Sequence, residues 1–139
     1  MKNRIFATLS SLTLLTTAAA FAQGNPALEA DIPFAFHIGT TILPAGHYEL
    51  HPETVRNVLL IKCRACKASA MILMNRMDTG KKPEPSTLVF NRYNDTYFLS
   101  GVWLTEYSQG TELRKSKAEL EFARNSSTST PAAVALVRR

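Results

Sequence analysis

The sequence predicts a mainly β protein: one small sandwich or barrel-like domain with a short C-terminal helix. Three observations carry that expectation. Through Asp31–Leu50 (DIPFAFHIGTTILPAGHYEL) apolar residues alternate with polar or small ones, the period of a strand with one buried face. Thr87–Tyr93 (TLVFNRY) and Thr96–Leu104 (TYFLSGVWL) flank the turn pair Asn94-Asp95 as the arms of a hairpin would. Only near the end does the period change. Ser116-Lys117-Ala118-Glu119 has capping-box spacing, with Ser116 as N-cap and Glu119 reaching back, and Leu120 and Ala123 are three apart. A helix is expected from Lys117 to about Arg124.

The first 22 of the 139 residues read as a secretory signal peptide. Lys2 and Arg4 form a basic start, Ile5 to Ala20 an apolar stretch, and Ala20-Phe21-Ala22 an A-x-A cleavage site. A retained membrane anchor would need about 20 strongly apolar residues, and this stretch is shorter and rich in hydroxyls. The absence of a Cys after the cleavage site speaks against a lipid anchor. The expected mature chain is Gln23–Arg139, exported to the periplasm or the medium, with no transmembrane helix left after cleavage.

Gln23–Ala30 reads as a flexible lead-in, and 31–124 as the β-rich domain. In the opening meander Pro44-Ala45-Gly46 reads as a turn. Pro44 pre-sets φ, and Gly46 is free to take the positive φ that follows. Val55–Lys62, with Val58-Leu59-Leu60-Ile61, reads as a buried strand, and Ala68–Met77 is apolar again. Asp78–Pro85 is polar and rich in breakers, a loop. Asn125–Pro131 (NSSTSTP), which opens a low-complexity tail over 125–139, is expected to be a mobile linker, and Ala132–Val137 would suit either a last short strand or disorder. Phe34, Phe36, Tyr48, Leu60, Val89, Phe98 and Trp103 are the expected common core.

The segments IPFAFHIG, LPAGHYEL, LVFNRYNDTYFLSGVW and KSKAELEFAR, in this order behind a signal peptide, resemble a family of small exported proteins common in acidobacterial genomes. The likeness covers about Ile32 to Arg124. It implies a β-rich architecture and export, and brings no catalytic residue with it, since the family is functionally uncharacterised. Cys63-Arg64-Ala65-Cys66 departs from the family's pattern.

That CxxC is the one motif with chemistry to offer. Lys67 stands where a c-type haem attachment site has His. A zinc site would need two more ligands, and His37, His47 and His51 do not form a second cluster. On one strand His47 and His51 would share a face yet lie about 13 Å apart at ~3.3 Å per residue. A thioredoxin-like β–CxxC–α unit is the rival reading, because Ala70, Leu73, Met74 and Met77 fall at helical spacing. Against it, only 18 residues separate Cys66 from Pro85, and Lys62 stands where a Trp usually precedes that motif. A soft-metal site from Met71, Met74 and Met77 fails on a strand, where the middle residue points the other way. Cys63 and Cys66 therefore read as a disulfide or redox pair. A strand at Ala68–Met77 would favour the first and a helix the second.

Removing Lys2 and Arg4 from the 16 basic side chains leaves 14 against 11 acidic ones, a net charge of +3. The basic runs lack interleaved aromatics, so no nucleic-acid partner is expected. No catalytic constellation and no cofactor motif is legible. The expected role is non-enzymatic, binding or structural, with an envelope protein or surface ligand as partner. The alternative is a thiol-based envelope protein, a disulfide oxidoreductase or soft-metal carrier, centred on Cys63 and Cys66.

Overall fold

The computed structural model describes residues 27–76, 85–126 and 128–138. The expected signal peptide, the first part of the lead-in, Met77 and nearly all of the 78–85 loop lie outside the described residues. Two sheets form the molecule. β1 (Leu28–Ile32), β4 (Gly46–Glu53), β5 (Val58–Cys63), β6 (Ala68–Leu73) and β12 (Val137–Arg138) make an antiparallel sheet in the order β12-β1-β4-β5-β6. β7 (Asn75–Arg76), β8 (Thr87–Tyr93), β9 (Thr96–Leu104), β10 (Gln109–Glu112) and β11 (Thr130–Ala135) make the second, in the order β11-β8-β9-β10-β7. A hairpin of β2 (Phe36–Ile38) and β3 (Thr41–Leu43) joins the second sheet. There β2 lies parallel to β9, through Phe36 opposite Tyr97 and His37 opposite Phe98.

Both flanks of the five-stranded sheet are fastened by a chain that changes sheets. At one edge β6 passes into β7 through Met74, and at the other β11 passes into β12 through Leu136. These corner residues are only 3 % and 6 % exposed. Burying an apolar side chain at each corner ties the layers together and gives the sandwich its barrel-like character.

Alternation sets which side chains meet between the layers. Leu28, Ala30 and Ile32 of β1, Tyr48 and Leu50 of β4, and Leu59, Ile61 and Cys63 of β5 point inward. Phe36 meets Tyr48 and Phe90 edge-on, at ring distances of 5.4 and 5.3 Å. Phe34 stacks on Tyr97 at 3.7 Å. Such geometries bring the positive rim of one ring near the negative face of another, or offset parallel rings. Ser100 is an extra residue in β9 between the pairs Val89–Gly101 and Phe90–Leu99, a bulge whose hydroxyl donates to the Val89 carbonyl.

Several expectations need correction. Leu60, Val89 and Trp103 are half-buried and lie on outward faces, because Leu59, Val102 and Leu104 take the inward phase of their strands. Phe98 is buried but also faces outward, beneath the C-terminal helix, because Leu99 takes the inward phase. Strand β1 begins at Leu28, inside the segment read as lead-in, since Leu28 and Ala30 continue the inward row that ends at Ile32. The last strand that the sequence allows at Ala132–Val137 forms, as β11 and β12, but it starts earlier, since Thr130 and Pro131 of the expected linker already pair with β8. Gly46 does not turn the chain in left-handed geometry. It opens β4, and Gly39 (φ 58°) carries that conformation in the β2–β3 turn.

The helix α1 (Lys117–Asn125) lies where its cap places it, with the Glu119 N–H donating to Ser116 Oγ at 3.2 Å. The side-chain half of the expected capping box is not made. Glu119 instead reaches the second sheet, accepting from Asn91 Nδ2 (2.8 Å) and the Tyr93 hydroxyl (3.2 Å). With Phe122 against Phe98 at 5.5 Å, these contacts dock α1 on the outward face of the second sheet, leaving Leu120 exposed.

Candidate functional site

Cys63 ends β5, and Cys66 sits in the turn 64–67 that leads to β6. Lys67 turns the chain with a left-handed φ of 51°. The two sulfurs stand at disulfide distance, with Cα atoms 5.5 Å apart. Cys63 is 3 % exposed and faces the core, while Cys66 is half-buried and donates its backbone N–H to Cys63 Sγ at 3.2 Å. The wall opposite is β4. Gly46 offers no side chain there, and Tyr48 lies beside it with its hydroxyl 3.9 Å from Cys66 Sγ. That hydroxyl donates to the Pro44 carbonyl at 2.5 Å, and burial pushes the phenol up, so it stays a protonated donor.

Ala68–Leu73 is a strand, so the β–CxxC–α unit that a thioredoxin-like redox site requires is not formed. The pair closes the tip of the β5–β6 hairpin instead. Of the two sulfurs, Cys63 is enclosed by the core and only the half-buried Cys66 is open to attack. Met71 is exposed and Met74 buried, so these two thioethers do not converge on a soft metal. Among the described residues no group of three or more His, Cys, Asp and Glu side chains is placed to hold a metal ion.

The outward face of the same sheet carries His47 and His51 in separate settings, while His37 lies apart in β2 of the second sheet, stacked on Phe98. Asp31 lies opposite His47 across β1 and β4, and its Oδ1 is 2.7 Å from His47 Nδ1, with Glu29 Oε2 3.6 Å from Nε2. The hydrogen bond to Asp31 raises the imidazole pKa above its ordinary 6.5, helped by the charges of Asp31, Glu29 and Glu49. His51 Nε2 is 3.4 Å from Glu49, which also accepts from Arg64 Nε at 3.1 Å. Glu49 thus ties the centre of β4 to the disulfide-closed turn. The sequence marks Arg64 only as a turn charge, and a sixteen-residue separation hides the pairing of Asp31 with His47.

Beyond these charged rows the face becomes apolar. Val58 and Leu60 of β5 stand opposite Leu73 and Met71 of β6, the outermost strand. Met71 is 67 % and Leu73 76 % exposed. Beside them a cleft of about 650 Å³ opens between β6, the Gly39-Thr40 turn and the segment Thr111–Arg114. Its lining includes the buried Ile38, Ile72 and Thr111. Sequence reasoning misses this surface, because Met71 and Leu73 look like any apolar residues of a strand with an unknown inward phase.

The fold and site define a small two-sheet β protein whose β5–β6 hairpin tip carries a cysteine pair at disulfide distance and whose β6 edge is apolar. Comparison with family models, with curated proteins and with solved structures finds no match for the chain.

Proposed function

We propose that the chain is exported, periplasmic or extracellular, and acts at the cell envelope as a non-enzymatic binding or structural module. One observation carries the reading: two large apolar side chains, Met71 and Leu73, stand in solvent on a strand that ends its sheet. Contiguous exposed apolar surface of this kind marks interaction sites, whereas scattered single residues do not. The Cys63–Cys66 pair at disulfide distance supports export, because bridges persist in oxidising compartments. The resemblance to small exported acidobacterial proteins and the basic, apolar, A-x-A start of the chain support it too. No helix among the described residues is long and apolar enough to cross a membrane.

Cell fractionation with mass spectrometry of the intact protein tests this. The expected result is a species beginning at Gln23, in the periplasm or medium, whose two cysteines resist alkylation until reduced. An intact Met1 species in the cytoplasm with two free thiols would overturn the proposal.

A further inference from the structure

We infer that the outer edge of β6 is a strand-addition site, taking an extended, apolar segment with acidic flanks from a partner protein. The inference rests on the binding reading above and names the partner's chemistry.

The Met74 N–H donates to the Asn57 carbonyl at 2.7 Å, towards β5. N–H directions alternate along an antiparallel strand, so the even-numbered residues of β6 bond to β5. The N–H and C=O groups of Ser69, Met71 and Leu73 therefore point to the free side. No strand pairs with β6 on that side among the described residues.

Native sheets protect such edges with charge, proline, bulges or shortness. β6 has none of these. Its six residues (ASAMIL) include no charge and no proline, and they pair with β5 from Cys63–Ala68 to Val58–Leu73 without a register shift. The other outer strands differ. β7 and β12 are two residues long, β3 three, and β11 carries Pro131. The cleft beside Met71–Leu73 gives an added strand a place to lie, with Ile38 and Ile72 to receive alternate side chains.

Charge selects the occupant. Lys62 lies in the Ser69 row, Lys67 at the head of the strand and Arg114 on the cleft. All three are exposed and have no ion-pair partner among the described residues, whereas the acidic side chain lining the cleft is Glu112. A second copy of this chain would set the same cations against one another. An acidic segment would neutralise them, which favours it over a neutral or basic one.

Two blocked nonapeptides, EEVTVTVEE and KKVTVTVKK, probe the site by titration into the labelled full mature chain with amide NMR. The acidic peptide should bind on the order of tenfold more tightly, and its affinity should fall between about 50 and about 300 mM salt as screening grows. Shifts should centre on Ser69, Met71 and Leu73. Met71→Pro should abolish binding while keeping the β5–β6 ladder, because the amide it removes points outward. If that variant does not fold, the pair Lys67→Glu and Arg114→Glu, both surface changes, should reverse the peptide preference. Equal binding of the two peptides, shifts centred on β11, or a dimer that Met71→Pro dissociates would each overturn the inference. Export and thiol state do not enter this test, so its failure is separable from that of the functional proposal.

Discussion

A Cβ added to Gly46 would lie 3.4 Å from the sulfur of Cys63 and 3.8 Å from that of Cys66. Gly46 stands at the start of β4 without a left-handed φ, so what it supplies is the absence of a side chain against the disulfide. The first atom beyond Cα just fits. Gly46→Ala should therefore change stability by less than about 1 kcal/mol, since the lost chain freedom of glycine offsets the closer contact. Gly46→Val should cost about 1–3 kcal/mol by overpacking. Urea unfolding of both variants measures the contrast, and an equal loss in the two would mean that the sulfurs do not limit the site.

The disulfide itself closes a short loop. In the chain-entropy view such a bridge stabilises by on the order of 2 kcal/mol, less than a long-range one. The double variant Cys63→Ser, Cys66→Ser should fold and be exported with a loss of that size, increased somewhat by the hydroxyl placed at the buried position 63. Its hairpin tip should show faster amide exchange while the second sheet is unaffected. A variant that fails to fold would assign the bridge a far larger role.

Glu119 is a 3 % exposed carboxylate whose Oε1 accepts from both Asn91 and Tyr93. Removing it leaves two donors on the second sheet unsatisfied. Glu119→Ala should cost about 1.5–3 kcal/mol and release α1, visible as lost helical circular dichroism and fast exchange over 117–125. Glu119→Gln keeps an acceptor at the same place and should retain most of the stability. Comparable losses in the two variants would contradict the assigned contacts.

His47 carries a pH dependence whose sign is fixed. Its folded-state pKa is raised above 6.5, mainly by the hydrogen bond to Asp31. The protonated form is thus favoured by folding. The gain is fully present below the unfolded value and is lost as pH rises through the higher folded value. The ring is half exposed, so solvent screens the pair and the effect on stability is small. NMR titration should place the His47 midpoint above 6.5 and move it down in Asp31→Asn. An unmoved midpoint would remove Asp31 as the cause.

How far the sequence reveals this architecture depends on the kind of signal. Alternation exposes β2, β4, β8 and β9, and the Ser116 cap exposes the start of α1, because both are local. The inward phase is harder. Val58-Leu59-Leu60-Ile61 is apolar at every position, so nothing local says that Leu59 and Ile61 enter the core while Leu60 does not. Trp103 looks like an anchor, yet it lies on the outward face above Gly101, whose missing side chain leaves it room. Leu28 and Ala30 are hidden by the polar Gln23–Asn25 in front of them. The contacts that shape the candidate surface are non-local: Asp31 with His47, Glu49 with Arg64, Glu119 with Tyr93. Pairing across sheets decides them, and one sequence carries no record of that pairing.

Native-state amide exchange reads the unpaired backbone row of β6 directly. In the free protein, residues 68–73 should alternate. Ala70 and Ile72, bonded to β5, should exchange slowly, and Ser69, Met71 and Leu73 quickly, at every protein concentration. Uniformly slow exchange along the strand would mean that the edge is already covered and that β6 has no free side.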